Sequence, residues 1–586
     1  MPPSRYLPMV SALLALPFIA LADDTRPNVL LIISDDQGYG DLSLHGNPNL
    51  HTPNLDRMAR EGAQLSRFYV SPVCAPTRAA LLTGRYSLRT GAWGVSRGQE
   101  TMRTEEFTLA EALRAAGWQT GLFGKWHNGE HFPNSPQGQG FGDFVGFTRG
   151  HWNNYFNTGL RRGEREEKTQ GYLPDVLTGE ALAFMDKHRA RPFLCMVAYN
   201  TPHSPFQVPD AYFERMKAKG LDDELACIYG MCENLDENVG KLLRHLDQLK
   251  IAERTIVIFM SDNGPNTLRF NGGMKGKKGG VDEGSVRVPC FVRWPGKITP
   301  RIVPNVTAHI DIMPTLLDLC DVMPNLRQPP NALDGVSLAG LLSGDIDAEV
   351  QSSIRDRALF VHQVRGAKAQ PFPGSVRTQQ HRAVNMGKGW QLYDMQADPA
   401  QTHDIAKEQS ATTQALAAKY DLWWRDVAPA QFELIPIPVG HPNHDRIELP
   451  SAEARRMSGV QFSGKHPNNA WFVGWNSLDA YAEWEIDVVR DGIYRVHLEY
   501  VAATGGARVR VVCGQASSDA VVTETPFRQL DSPDRVPRDE VHEMEWSRLS
   551  AGELQLTKGR HTLRIQALEK TAAEVMQLSA VILARQ

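Results

Sequence analysis

Residues 28–34, NVLLIIS, form an apolar run with no polar break until the pair Asp35-Asp36. A strand that is apolar on both faces has to be covered on both, which calls for the centre of a helix-flanked, largely parallel sheet rather than a sheet with one wet face. Comparable runs recur at 193–199 and 255–260, and further strands are expected at 64–70 and 120–123. Helical stretches at 55–61, 109–116, 175–188 and 223–249 are interleaved with them. This alternation predicts an α/β fold: a largely parallel central sheet with helices on both faces. In such sheets ligands collect outside the carboxyl ends of the strands.

Polar residues gather at those ends. The first run closes in Asp35-Asp36-Gln37-Gly38, later ones in Gly124-Lys125-Trp126-His127, Thr201-Pro202-His203-Ser204-Pro205 and Ser261-Asp262-Asn263-Gly264. Adjacent acids at a strand end invite a cation, although an acidic turn explains that pair alone equally well. Lys125 and His127, two residues apart, can face one site, and the prolines beside His203 stiffen its turn. Between them lies residues 71–86, SPVCAPTRAALLTGRY. Pro76 is tolerated in a first helical turn and Ala79 to Leu82 favour helix, so Cys74 is placed at a helix N-terminus with Arg78 one turn on. Unpaired amides and the positive dipole end suit an anion there. A lone cysteine in such a place is more often structural.

The spacing Cys74-x-Pro76-x-Arg78 followed by Leu82-Thr83-Gly84-Arg85 resembles the CxPxR and LTGR signature of type I, formylglycine-dependent sulfatases, the arylsulfatase-like branch of the alkaline phosphatase superfamily. With the four strand-end motifs in order, the resemblance runs from residue 28 to about residue 430. It implies a hydrolase of sulfate esters in which a formylglycine-generating or sulfatase-maturating enzyme oxidises Cys74 to formylglycine, whose hydrate is the nucleophile. It further implies that Asp35, Asp36, Asp262 and Asn263, together with residue 74, hold one Ca2+. Lys125, His127, His203 and Lys278 would contact the sulfate and move protons, with Arg78 supporting the hydrate. Oxygen ligands suit a hard cation, and the absence of a His/Cys cluster argues against zinc. Two positions depart from the family pattern: Asp282 and Ser285 stand where an aromatic residue and a second glycine are frequent. Counting back from Glu283-Gly284 selects Lys278 as the catalytic lysine, with Lys275 and Lys277 close by. A phosphonate monoester hydrolase or phosphodiesterase with the same nucleophile is the alternative; three carboxylates beside one cation favour the less charged sulfate ester.

The remaining chain bounds the setting. At 586 residues two or three domains are expected. Residues 1–22 read as a signal peptide: Arg5, an apolar stretch at 9–21, and Ala20-Leu21-Ala22 before Asp23-Asp24. The expectation is export to a periplasm or beyond, with no transmembrane segment after cleavage, since a span needs about 20 apolar residues. A net charge of −4 gives no reason to expect a nucleic-acid partner. Export permits disulfides among the seven cysteines, and the pairing stays open. The expected division is an α/β catalytic domain at 23–354, a small α+β C-terminal subdomain at 355–434, a proline-stiffened linker at 435–450, and an antiparallel β-sandwich at 451–586. Period-two runs such as Ala482, Trp484, Ile486 and Val488 carry the last assignment. The sandwich weakly resembles galactose-binding jelly rolls, with a structural appendage equally in play. It also leaves open a glycan-binding protein with a degenerate catalytic half. Trp471 and Trp475 are expected in the core rather than on a sugar face. The favoured substrate is a sulfated carbohydrate, with small sulfate esters as surrogates, and Trp152, Asn154 and Arg365 are candidates for its alcohol side.

Overall fold

The computed structural model describes residues 25–322, 331–345, 347–364 and 370–586. Residues 1–22, expected to be a signal peptide, and Arg365 lie outside the described residues.

The strand Asn28–Ser34 is buried along its whole length. Val29, Leu31 and Ile33 point into one apolar core and Leu30 and Ile32 into another, as a period-two strand between two helical layers must. Each such aliphatic side chain contributes about 1.5–3 kcal/mol of burial, which fixes the strand at the sheet's centre. Phe193–Ala198 and Thr255–Ser261 pair with it on either side, both parallel. Gln119–Lys125 and Asp143–Phe147 extend the sheet in parallel on one flank. On the other flank Cys290–Arg293 runs antiparallel to its neighbours, so the 11-stranded sheet is mixed with a parallel centre. One face is covered by the helices Leu173–His188 and Asp223–Gln248, through Leu177, Ala181, Leu235 and Val239. The other is covered by Cys74–Thr83, Leu109–Ala115 and Ile312–Leu319, through Leu81, Leu82, Leu113 and Leu316. All seven cysteines are buried and free; most pack among these apolar side chains.

A four-stranded antiparallel sheet, Leu359–His362 to Trp390–Asp394, comes next in the chain. The helix Ser410–Val427 packs on it through Leu416, Tyr420 and Trp423. Beyond this, two largely antiparallel sheets face each other: Ala482, Trp484, Ile486 and Val488 from one meet Tyr494, Val496, Leu498 and Tyr500 from the other. Trp475 is fully buried in that core, and Trp471 nearly so in a small adjoining cluster.

The stretch 435–450 is not a linker. Ile437–Val439 pairs in parallel with Tyr481–Val488 in one sheet, and Arg446–Pro450 pairs antiparallel with Gln577–Arg585 in the other. Of the prolines in 435–442 that suggested a linker, Pro438 sits in an edge strand, where a missing amide is tolerated.

The sandwich is held to the α/β unit by charge that is buried or half-buried at the interface. Arg149 lies 3.1 Å from Glu130 on its own side and 2.9 Å from Glu448 of the sandwich, and His131 Nε2 lies 3.1 Å from Glu453. Burial works against the charge on Glu130, but Arg149 and Arg161 hold its carboxyl below the usual range. Arg149→Met removes the shared cation and leaves two carboxylates short of partners. The expected loss is about 3 kcal/mol, the low end for a broken buried pair because Arg161 still faces Glu130. An unchanged unfolding midpoint in a denaturant titration would remove this contact as the interdomain clamp.

Candidate active site

The sheet register brings the polar strand ends together. Ile33 is level with Ala198 on one side and Met260 on the other. Asp35-Asp36 therefore emerges between the turn carrying His203 and the pair Asp262-Asn263. Backbone bonds lock the three ends: the Asp35 amide donates to Thr201 O at 3.1 Å and the Asp262 amide to Ser34 O at 3.1 Å. The helix Cys74–Thr83 begins at Cys74 itself, and all ten of its residues are buried.

Three carboxylates meet three cations one to one. Lys125 Nζ is 2.7 Å from Asp35 Oδ2 and Lys278 Nζ is 2.6 Å from Asp36 Oδ1. Arg78 donates to Asp262 Oδ2 through Nη2 at 2.8 Å and Nε at 3.1 Å, with Nη1 on Lys125 O at 3.0 Å. After these bonds Asp35 Oδ1, Asp36 Oδ2 and Asn263 Oδ1 remain buried without a hydrogen-bond partner. Ligand atoms of Asp35, Cys74 and Asp262 lie within 4.8 Å of one another, as do those of Asp35, Asp36 and His203. Desolvated oxygens left unsatisfied are costly, and a group of hard oxygen donors fits a divalent cation of the calcium type.

Burial, reinforced by Asp262, pushes the Asp35 carboxyl up to about 7 against the pull of Lys125. Burial also opposes the charge on Asp36, but Lys278 and His203 hold it well below the usual carboxylate range. The Cys74 thiol is pushed up by burial in spite of Lys125 and Lys278, so the unmodified side chain is a protonated thiol. Lys278 is raised despite its burial, chiefly by Asp36, and keeps its proton.

The histidines are held neutral. Burial and then Lys278 push His203 down to about 3. Its Nδ1 faces Ser204 O at 2.5 Å, and Nε2 points towards Asp36 Oδ2 at 3.7 Å. Burial and Lys125 push His127 well below its ordinary value. Its Nε2 faces Val95 O at 2.9 Å, and Nδ1 is buried with no partner. A neutral ring whose Nε2–H donates to a carbonyl exposes a bare Nδ1, able to take a proton. Asp36 and His127 both adopt positive φ, 67° and 60°; non-glycine residues held there are a mark of functional sites.

A cavity of about 490 Å3 opens over Cys74 and is lined by Asp36, His127, His203 and Lys278. Lys275 and Lys277 are exposed, and Lys275 turns to Asp282 at 3.8 Å, which leaves Lys278 as the lysine of this loop that reaches the acids. Trp152 and Asn154 do not line this cavity. Trp152 stacks on Phe147 and donates to Thr158 Oγ1 at 2.7 Å, while Asn154 Nδ2 donates to Asp531 O at 3.3 Å. Their neighbour His151 lines the cavity instead, with Nε2 buried and unpartnered. The sandwich adds His466, Asn468, Arg538, Asp539 and Glu540 to the same wall. Sequence reasoning missed them because nothing in their local pattern relates them to residues some 330 positions away. Gly150 permits that approach: a Cβ there would lie 2.3 Å from Asn468 Nδ2 and 2.6 Å from His127 Nε2.

The family model described as Sulfatase matches residues 27–322, and that of N-sulphoglucosamine sulphohydrolase, C-terminal, matches residues 277–423. The chain is 35% identical over 439 residues to arylsulfatase A of Homo sapiens, covering 67% of this chain and 80% of that one. It is 31% identical over 379 residues to N-acetylgalactosamine-6-sulfatase of Canis lupus familiaris, covering 57% and 68%. Among solved structures, Ps i-CgsB in complex with k-i-k-neocarrahexaose superposes with a TM-score of 0.63 at 27% identity, over 70% of this chain and 95% of that one. The chain belongs to the sulfatase family of the alkaline phosphatase superfamily and is a sulfuric ester hydrolase.

Proposed function

We propose that the protein is an exported hydrolase of sulfated carbohydrates that works with formylglycine at position 74 and one calcium ion. The observation that carries this reading is the set of three unsatisfied oxygens, on Asp35, Asp36 and Asn263, beside a residue 74 ringed by buried cations. Asp35, Asp36, Asp262 and Asn263 would hold the ion, with an oxygen of residue 74 completing the set. Bound there, a divalent ion supplies positive charge to the ester's anionic oxygens; the formylglycine hydrate supplies the hydroxyl that attacks sulfur.

Charge suits an anionic ester. With a cation in place Asp35, Asp36 and Asp262 would carry three negative charges against the three positive of Arg78, Lys125 and Lys278. A divalent ion would then leave the set at about +2, a field that attracts an anionic ester. Lys125 and Lys278 neutralise the sulfate oxygens as charge spreads over them. Arg78 fixes the orientation of Asp262. His203, expected first as the proton donor to the departing alcohol, is held neutral with Nδ1 against Ser204 O, so the protonated Lys278 would provide that proton instead. The attacking hydroxyl would lose its proton to a nearby carboxylate such as Asp262; His127, with Nδ1 bare, would then take a proton from the second hydroxyl, so that the C–O bond to the sulfated oxygen breaks, sulfate leaves and the aldehyde is restored.

The carbohydrate preference draws on the names of relatives that act on or bind sugars, an N-acetylgalactosamine-6-sulfatase and a neocarrahexaose complex. Export rests on residues 1–22; among the described residues no helix is long and apolar enough to cross a membrane. A maturation enzyme that reads Cys74-x-Pro76-x-Arg78 is the partner this reading requires. Residues 23–354 serve as its catalytic unit, with 355–434 as the small subdomain.

Cys74→Ala is expected to abolish turnover of nitrophenyl sulfate while circular dichroism stays unchanged; sulfate release at the wild-type rate sinks the nucleophile assignment. Chelation is expected to lower the melting temperature and calcium to restore it, a linkage worth about 2.7 kcal/mol at a hundredfold excess over Kd. Asp36→Asn should blunt that response, and a melting curve indifferent to calcium in the wild type would refute the metal site. Lys278→Ala is expected to lose about 100-fold or more in kcat/KM, with Lys275→Ala and Lys277→Ala within about twofold of wild type. Equal losses for all three would overturn the choice of lysine.

A further inference from the structure

The wall of the cavity opposite the helix N-terminus is not built by the sulfatase unit alone. The segment between Arg528–Gln529 and Met544–Glu545 leaves the sandwich and lies across the α/β unit. It is well anchored there. Arg538 Nη2 donates to Asn153 O at 2.6 Å, Gln207 Nε2 to Ser532 Oγ at 2.6 Å and Asp534 Oδ1 at 2.7 Å, and Arg535 Nη1 to Val208 O at 2.6 Å. Val536 packs into the apolar core of the α/β unit. A second sandwich loop is tied down by Asn469 Nδ2 on His151 O at 2.7 Å. The two family models together reach residue 423, so these loops are an addition of this chain to the matched unit.

Within the segment, Glu540 is 6% exposed and lines the cavity beside His203. One carboxylate oxygen, Oε1, accepts from Ser204 Oγ, the residue next to His203. The other, Oε2, is buried and has no partner. Arg538, the cation of the same stretch, is turned away onto Asp534 and backbone carbonyls. A buried carboxylate oxygen left open at the rim of a site needs a donor, and no described residue donates to this one.

We propose that Glu540 is a specificity residue that accepts a hydrogen bond from a hydroxyl of the substrate's sugar, so that the sandwich works as the alcohol-side wall of the active site and not as a separate glycan-binding module. The assignment rests on the carbohydrate reading above. Its logic is that of any site built around a buried polar group: a substrate with the matching hydroxyl satisfies the carboxylate, and one without it leaves the group stranded. His151 Nε2, also buried and open, faces the same space as an additional polar contact.

The test compares two classes of ester on the full-length, matured enzyme: monosulfated galactose and N-acetylgalactosamine of defined position, and nitrophenyl sulfate, whose alcohol has no such hydroxyl. For Glu540→Ala, kcat/KM on the sugar the wild type prefers is expected to fall about 10- to 100-fold, mainly through KM. On nitrophenyl sulfate it should stay within about twofold. Glu540→Gln keeps the shape and one acceptor oxygen, so it should fall between wild type and Ala on the sugar; this variant carries the test if Ala does not fold. An equal loss on both esters would reduce Glu540 to a prop for the His203 turn through Ser204, and an unchanged sugar rate would remove it from recognition; either overturns the proposal. Wild-type enzyme that cleaves nitrophenyl sulfate but none of the sugars refutes the carbohydrate reading, and the role of Glu540 with it. That failure shows in the wild type alone and is distinct from the other two.

Discussion

Three carboxylates can be buried side by side as anions only where each meets a cation, and here each cation comes from a different element. Arg78 projects from the helix Cys74–Thr83 to Asp262, Lys125 from the end of a strand to Asp35, and Lys278 from a loop to Asp36. An uncompensated buried charge costs several kcal/mol. The helix, the strand and the loop are therefore held in place by the same contacts that assemble the site, and a shift of any one would strand an anion in the interior. The contacts do not satisfy every oxygen. The atoms left open on Asp35, Asp36 and Asn263 define the position where further positive charge would be accommodated.

That balance also decides which groups are reactive. The field of Lys125 and Lys278 favours an anion at residue 74, yet burial outweighs it and the thiol keeps its proton. Being at a helix N-terminus does not by itself make a nucleophile when the surroundings are desolvated. The same burial and the same lysines keep His127 and His203 neutral. Under the proposed mechanism these are two sides of one design: the unmodified chain is chemically quiet, and the imidazole meant to accept a proton is free to do so.

The parts of this arrangement that could be read from sequence are those governed by local period and by the residues that close each strand. The double-faced apolar run 28–34 requires a central strand, and a central parallel strand delivers Asp35-Asp36 to the edge where neighbouring strand ends also deliver His203 and Asp262. The sandwich core was legible for the same reason, since alternation at 482–488 reports one buried face. Legibility ended where position depends on partners distant in the chain. Pro438 looks like a linker residue until the edge strand it occupies is known. Trp152 and Asn154 look like a sugar platform, but Phe147 and Thr158 claim one and Asp531 the other. Nothing periodic marks 530–543, whose anchors lie more than 300 residues earlier.

Because the cavity over Cys74 is lined by two folding units, its shape is set by how firmly they dock. The loop 148–155 is where this happens. Arg149 clamps Glu130 to Glu448, His151 O receives Asn469, Asn153 O receives Arg538, and between them Gly150 leaves room for Asn468 to come close to His127. The ion pairs beside residue 74 are built from the sheet edge and owe little to this loop, whereas His151 and the sandwich residues that line the rest of the cavity are presented by it or by the sandwich segments resting on it. Selection among esters can then change through the interface without disturbing the ion pairs at residue 74. A substitution in the sandwich core that loosens docking would act on substrate choice at a distance, through position rather than charge.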